Sequence, residues 1–198
     1  MRSCSMVKIK FCGMTNLDDC KKAVGLGVDY VGFVFYRKSS RYVTPERVKR
    51  IVEKLNGGIT TVGVFVDESD EEIAELVDHC GLDLTQIYRP SGLPTAITAI
   101  RIAERLPEIP PGEGLVLFDT YTDGFGGSGR SFDFGLLEGC AALARTFVAG
   151  GIGEHNVHDV LRLQPFGIDL VSSVETYRGK KDHGKMERFV KTVRSFVP

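Results

Sequence analysis

Residues 96–102 read Ala-Ile-Thr-Ala-Ile-Arg-Ile (AITAIRI), and their assignment decides the fold. The run is short and apolar, with isoleucine and threonine at four of its positions, as suits a strand. Ile97, Ile100, Ala103 and Leu106 also recur at helical spacing, which suits a helix over Pro94–Leu106. Seven other runs read as strands: Val7–Phe11, Tyr30–Phe35, Thr60–Val66, Leu84–Ile87, Leu115–Phe118, Thr146–Ala149 and Ile168–Val171. With AITAIRI the count reaches eight, enough to close a (βα)8 barrel. Without it, an open doubly wound sheet is the alternative. Periodicity leaves both readings open.

Helical patterns separate most of these runs. Leu17–Val24 follows a capping Asn16 or Thr15. Pro45–Leu55 has Thr44 as N-cap and Pro45 at its first position. A third helix opens at Ser69 and runs to Val77, with Glu72 completing a capping-box pattern. Phe134–Leu143, Glu154–Leu163 and Lys185–Phe196 complete the set. Many strands are apolar at consecutive positions, as in a parallel sheet covered by helices. The alternation runs without a change of composition, which predicts one α/β domain over residues 1–198.

Composition narrows the function. The 198 residues carry 25 Lys+Arg against 26 Asp+Glu, a net charge of -1, and 42% are hydrophobic. That is ordinary for a globular chain and excludes a disordered or collagen-like one. The balanced charge gives no reason to expect nucleic acid or a membrane surface as partner. No apolar run of about 18 residues exists to cross a membrane. Met1–Lys10 lacks the apolar core of a secretory signal. Cys4, Cys12, Cys20, Cys80 and Cys140 form no CxxC pair, so neither a zinc site nor a redox dithiol is suggested. A reducing cytoplasm is the compartment expected.

In a barrel of this kind, ligands meet the C-terminal ends of the strands. Cys12-Gly13 follows the first strand, Arg37, Lys38 and Arg41 the second, and Asp67 the third. Asp119 follows Leu115–Phe118, and Gly150-Gly151 follows Thr146–Ala149. Asp169, Ser172 and Ser173 lie in or after the last strand. Cys12 reads as a thiolate base or nucleophile, or as a small buried thiol. Asp119 reads as its facing acid, or as a loop carboxylate. Gly150-Gly151 and Ser172-Ser173 end two successive strands, where glycine backbone N–H groups and serine hydroxyls suit a phosphate. Gly126-Gly127-Ser128-Gly129-Arg130 could cradle an anion, but has neither the length nor the place of a Walker loop. No GxGxxG follows the first strand, which disfavours a dinucleotide site. Arg41 could hold a carboxylate bidentately, or be a solvated loop residue. The four histidines make no metal spacing, and Lys180, Lys181 and Lys185 read as a solvated face.

Taken together, these residues resemble the phosphoribosylanthranilate isomerases, (βα)8-barrel enzymes of tryptophan biosynthesis. Lys8–Thr15 (KIKFCGMT) is similar to the family's first-strand motif, Gly32–Arg41 (GFVFYRKSSR) to its second and Val62–Val66 (VGVFV) to its third. Leu117–Thr120 and Gly126–Phe134 follow its sixth-strand pattern, and Ala149–Gly151 and Asp169–Glu175 (DLVSSVE) its seventh and eighth. The resemblance implies an Amadori rearrangement of N-(5'-phosphoribosyl)anthranilate to 1-(2-carboxyphenylamino)-1-deoxyribulose 5-phosphate. It assigns Asp119 as general acid toward the furanose oxygen and Cys12 as general base at C2. Burial is expected to raise the pKa of Asp119, and a cationic setting to lower that of Cys12. By the same resemblance Arg41 binds the anthranilate carboxylate, Asp169 contacts sugar hydroxyls, and the two small-residue loops hold phosphate. The implied partner is a small phosphorylated molecule, bound without cofactor or metal by a monomer or homodimer.

Two departures stand out. The family's Gln-Leu-His-Gly motif reads Gln86-Ile87-Tyr88-Arg89, so the histidine's role has no residue to carry it, while Gln86 keeps its place as a substrate contact. The interval from Gln86 to Asp119 is also short, and keeping Ala96–Ile102 as strand five leaves the fourth helix shortened or missing. Three readings compete with the isomerase. The related histidine-pathway isomerase usually uses two aspartates, which Cys12 argues against. Indole-glycerol-phosphate synthase needs strand-end lysine and glutamate groups not found in place. A non-catalytic phosphate-binding barrel is opposed by the retention of Cys12, Asp119 and Arg41. A catalytic thiolate at Cys12 predicts faster alkylation than at the other four cysteines.

Overall fold

The computed structural model describes residues 6–122 and 131–197. The Gly126–Arg130 stretch therefore lies outside the described residues. Eight parallel strands close into a barrel in chain order: β1 (Lys8–Phe11), β2 (Tyr30–Val34), β3 (Thr60–Phe65), β4 (Leu84–Ile87), β5 (Ala96–Ile102), β6 (Val116–Thr120), β7 (Thr146–Val148) and β8 (Gly167–Leu170). β1 pairs with β8, which removes both sheet edges. AITAIRI is thus a strand, paired with β4 on one side and β6 on the other. Its helical spacing was incidental: Ile97 and Ala99 fill the barrel interior, while Ile100 and Ile102 pack outward. That alternation has a period of two.

The first half of the barrel has regular helices. α1 (Leu17–Gly25) is capped by Asn16, and α2 (Pro45–Leu55) by Thr44 with Pro45 in its first turn. α3 (Asp70–Cys80) carries the full capping box between Ser69 and Glu72. α4 (Val157–Arg162) and α5 (His183–Arg194) come late in the chain. α4 is shorter than its periodicity predicts; it begins behind Asn156, whose side chain accepts from the Gly153 N–H at 2.9 Å and makes no cap bond to the helix. The helix expected over Phe134–Leu143 is instead two 3-10 turns, Phe134–Leu137 and Ala141–Arg145. Gly139 between them takes the left-handed φ of +73°, which interrupts an α-helix.

No helix joins β4 to β5, as the short interval predicts, and none joins β5 to β6 either. The loops that replace them are held by polar clamps. Asp70, at the start of α3, accepts from Ser91 Oγ at 2.9 Å and the Gly92 N–H at 3.0 Å. Arg145 donates to the carbonyls of Gly114 and Pro110 at 2.5 and 2.6 Å. Leu93, Leu106 and Ile109 from these loops pack on the outer hydrophobic layer. After β8 the chain adds an unpredicted antiparallel pair, β9 (Glu175–Tyr177) and β10 (Lys180–Lys181). This small hairpin folds back over the C-terminal ends of β1 and β8, where Lys181 bonds the carbonyls of Cys12 and Val171. Among the described residues, no helix is long and apolar enough to cross a membrane.

Candidate active site

Strand alternation builds the site. In β1, Lys8, Lys10 and Cys12 share one face of the chain, so Lys10 sits in the barrel interior below Cys12. The same rule stacks Gln86 below Tyr88 along β4 and aligns Ala99 with Arg101 in β5. A lower layer of Val62, Ile97, Leu117 and Phe147 plugs the barrel, so only its upper end is open. The opening is a cleft lined among others by Cys12, Arg41, Gln86, Tyr88, Asp119 and Asp169. Gly150, Gly151, Ser172 and Ser173 line it as well. Cys12, Arg41, Gln86, Asp119, Gly150, Gly151, Asp169, Ser172 and Ser173, the residues the resemblance assigns to the site, therefore line one cleft, while Arg37, Lys38 and Asp67 do not line it.

Cys12 is 5% exposed. Its thiol lies against Gly32, where a Cβ would stand 2.7 Å from Sγ and 3.2 Å from Lys10 Nζ. Glycine is required there by close approach. Lys10 is fully buried and pairs with Asp169, its register partner on β8, at 2.8 Å. Burial pushes the Cys12 thiol above its ordinary value, against the opposing pull of the Lys10 and Lys181 ammonium groups. The expected lowering of this pKa is therefore corrected: the cations are present, but desolvation outweighs them.

Asp119 lies inside β6 rather than after it, because the strand continues through Thr120 opposite Arg101 and Ile102. Its Oδ1 accepts from the Thr120 N–H at 2.8 Å, and its Oδ2 from the Tyr88 hydroxyl at 3.1 Å. Burial and the neighbouring Asp169 push the Asp119 carboxyl up, as expected. Gln86 Nε2 donates to the Tyr88 hydroxyl at 3.3 Å. Gln86 Oε1 and Ser173 Oγ are buried with no hydrogen-bond partner among the described residues.

Arg41 is not a solvated loop residue. It is 5% exposed, and its Nε and Nη2 donate to the two carboxylate oxygens of Glu175 at 2.9 and 2.7 Å. Lys181 Nζ is also buried, and donates to the carbonyls of Cys12 and Val171 and to Glu175 Oε1 at 2.6, 2.9 and 3.3 Å. The expected solvated lysine face is thereby corrected. Lys180 bonds Asp19 at 2.6 Å, because the hairpin carries it and Lys181 back onto the barrel, and Lys185, in the first turn of α5, bonds the Glu175 carbonyl at 2.8 Å. At the opposite rim, Gly150 and Gly151 take φ of +83° and +65°. A Cβ at Gly150 would stand 2.1 Å from Thr120 Oγ1, so only glycine fits.

Sequence reasoning missed Lys10, Tyr88, Glu175 and Lys181. The signal for Lys10 was visible: a lysine inside an otherwise apolar strand, two residues before a cysteine, faces the same way as that cysteine. Glu175 and Lys181 carried none, because a hairpin of such short strands leaves no periodic pattern.

Comparison with known proteins agrees with this geometry. Residues 9–192 match the family model of N-(5'phosphoribosyl)anthranilate (PRA) isomerase. The N-(5'-phosphoribosyl)anthranilate isomerase of Rubrobacter xylanophilus is 38% identical, over 96% of this chain and 100% of that one. The crystal structure of phosphoribosyl anthranilate isomerase from Thermotoga maritima superposes with a TM-score of 0.83 at 33% identity, over 96% of this chain and all of that one. A further phosphoribosyl anthranilate isomerase, in complex with reduced 1-(o-carboxyphenylamino)-1-deoxyribulose 5-phosphate, superposes with a TM-score of 0.80 at 30% identity, with the same coverage. A match of this extent, on a closed barrel whose strand ends carry Cys12 and Asp119, shows that the chain belongs to the N-(5'-phosphoribosyl)anthranilate isomerase family.

Proposed function

We propose that Asp119 and Cys12 are the acid and base with which this isomerase rearranges N-(5'-phosphoribosyl)anthranilate. The observation that carries this reading is their placement in one cleft, at the ends of β1 and β6, with the other expected contacts around them. Asp119 gives its proton to the furanose ring oxygen. The C1–O bond breaks and the anilino nitrogen lone pair closes a C=N bond, giving the Schiff base. Cys12, as thiolate, takes the proton from C2, and that electron pair forms the C1=C2 bond of the enolamine. The enolamine gains a proton at C1 and loses one from the 2-hydroxyl, leaving the ketone. Asp119 is suited to start this sequence because burial keeps its carboxyl protonated to higher pH. The fully buried Lys10 and Lys181 ammonium groups are suited to oppose the charge that develops when Cys12 ionises.

Binding follows from the remaining contacts. The Arg41 fork is turned by Glu175, so Nη1 is the edge that meets the anthranilate carboxylate. Ser172, Ser173 and the backbone at Gly150-Gly151 take the phosphate, and the buried Ser173 hydroxyl gains a partner there. Asp169 and the Gln86 carbonyl accept from sugar hydroxyls. No cofactor or metal enters these steps. The same reading makes residues 1–198 one domain, because a single barrel draws its strands from Lys8 to Leu170. It places the protein in the cytoplasm as a monomer or homodimer acting on a small phosphorylated molecule, without nucleic acid.

The test is turnover of N-(5'-phosphoribosyl)anthranilate followed by fluorescence, for the unaltered chain, Cys12→Ser and Asp119→Asn. Each variant is expected to lose about 10²–10⁴-fold in kcat while still binding a phosphorylated product analogue. Retention of near-normal kcat by a folded Asp119→Asn or Cys12→Ser protein would overturn the corresponding assignment.

A further inference from the structure

Tyr88 has no part in the steps above, yet it touches the group that starts them. Its hydroxyl is 3.1 Å from Asp119 Oδ2, and Gln86 Nε2 is 3.3 Å from the same hydroxyl. The order of donors gives this chain a direction. A phenol hydroxyl has one proton to give. With the Gln86 amide donating into its lone pair, that proton points at Asp119. On the other oxygen of the carboxyl, the Thr120 N–H occupies one lone pair of Oδ1. Each carboxyl oxygen has two lone pairs, so one position on each is already filled. The positions remaining for the acidic proton are the unfilled ones, and Asp119 lines the cleft.

We propose that Tyr88 is a positioning residue for the general acid: its hydroxyl, oriented by Gln86, occupies one side of the Asp119 carboxyl so that the acidic proton is held toward the ligand. This inference rests on the assignment of Asp119 as the acid. It gives a role to a residue that stands where the family's motif has histidine, and it uses only contacts of this chain. Tyr88 does not exchange its own proton in this scheme. Burial and the carboxylates of Asp119 and Asp169 push its hydroxyl well above the ordinary range, so it remains a donor throughout the working pH range. After Asp119 has given up its proton, the same hydroxyl and the Thr120 N–H solvate the carboxylate that is left.

The inference has a consequence that a purely structural tyrosine would not produce. Among the described residues, the charged and titratable groups facing Asp119 are Tyr88 just after β4, Arg101 on β5 and Asp169 on β8, with Cys12 facing Tyr88 from the end of β1. Of these, Tyr88 lowers the Asp119 pKa by bonding to its charged form, while burial and Asp169 raise it. Deleting the hydroxyl therefore moves the Asp119 titration upward. Both groups are pushed upward, and with the carboxyl keeping its ordinary order below the thiol, the active form, with the acid protonated and the thiol ionised, gives a bell-shaped profile. Its ascending limb then follows Asp119 and its descending limb Cys12.

The experiment is the pH profile of kcat/KM for the unaltered protein and for Tyr88→Phe, which keeps the ring and removes only the hydroxyl. In parallel, the Asp119 carboxyl is titrated by carbon NMR in the ligand-free proteins, with Asp119→Asn used to assign its signal. The ascending limb and the NMR titration of Tyr88→Phe are both expected to move upward by about one pH unit. The descending limb is expected to stay in place. An NMR titration that stays put or moves downward in a folded Tyr88→Phe protein overturns the inference. Retained activity in Asp119→Asn would instead overturn the acid assignment beneath it. An inactive Asp119→Asn together with an unmoved Tyr88→Phe titration removes only the role of Tyr88.

Discussion

The two walls of the cleft are held by different forces. The wall made by β1, β8 and the β9–β10 hairpin is held by buried charge: Lys10 with Asp169, Lys181 with Glu175, and Glu175 with Arg41. The wall made by β4, β5 and β6 centres on a hydrogen-bond chain from Gln86 through Tyr88 to Asp119. The first wall joins residues far apart in sequence, such as Lys10 and Asp169, and leaves little freedom once folded. The second joins residues two apart at the end of β4, Gln86 and Tyr88, to Asp119 on β6, two strands away. Fully buried charges must be paired at close range, so the first wall is rigid and intolerant of loss. A tyrosine hydroxyl can be removed without stranding a charge, so the second wall can be adjusted in evolution. The tyrosine in place of the family's histidine lies in this second wall.

The largest expected effect comes from breaking the charged wall. Lys10→Met leaves Asp169 buried without its partner, and is expected to cost about 3–5 kcal/mol in denaturant unfolding. Adding Asp169→Asn should recover part of that loss, because the stranded charge is gone. A Lys10→Met protein as stable as the unaltered chain would show that this pair does not hold the wall.

Gly32→Ala comes next. The new Cβ would meet Cys12 Sγ at 2.7 Å, a separation that forces the thiol or the strand to move. The expected cost is about 1–3 kcal/mol of stability, with kcat reduced and thermal unfolding earlier. Unchanged kcat would mean that the thiol has room to spare.

Thiol labelling compares the walls by chemistry. The pKa of Cys12 is raised, so its thiolate fraction at about pH 7.5 is small, and the faster alkylation expected from a catalytic thiol does not follow. Iodoacetamide is expected to label the half-buried Cys140 before Cys12. Burial holds the Cys20 thiol up at about 12 and the Cys80 thiol at about 11, so both stay slow. Labelling of Cys12 should rise about tenfold per pH unit toward its raised pKa. Lys181→Met removes a cation that favours the thiolate, so it should slow Cys12 labelling while Tyr88→Phe leaves it unchanged. Equal slowing by both variants would erase the distinction between the walls.

The smallest effect tests the loops behind the second wall. Arg145→Ala removes two donors to the Gly114 and Pro110 carbonyls, at a site open to solvent. A loss of about 1 kcal/mol is expected, with kcat unchanged. A larger loss would show that residues 103–115 support β5 and β6 as strongly as a helix would.

Much of the frame was legible from local sequence. Thr44-Pro45 and Ser69 with Glu72 mark the starts of α2 and α3, because caps act within four residues of the chain. The strand-end residues Cys12, Asp119, Asp169, Gly150 and Ser172 were readable for the same reason, once an eight-stranded order was assumed. The Phe134–Leu143 segment misled, since its apolar spacing fits a helix while Gly139 breaks one. Lys181 misled more deeply: lysines are seldom buried, and only the fold-back of the hairpin supplies the three oxygens that hold this one.

The sequence by itself determined the alternation of strands and helices, the order of the motifs and the family to which they belong, because these depend on neighbours along the chain. Tertiary structure decided that AITAIRI is a strand, since its backbone pairs with β4 and β6 while its two faces meet the barrel interior and the outer hydrophobic layer. It also decided the state of the two reactive groups. Whether a thiol or carboxyl is raised or lowered depends on the balance between lost water and nearby charge, and that balance is set by groups the barrel brings in from several strands: Lys10, Asp169 and Lys181 around Cys12, and Asp169, Tyr88 and Arg101 around Asp119.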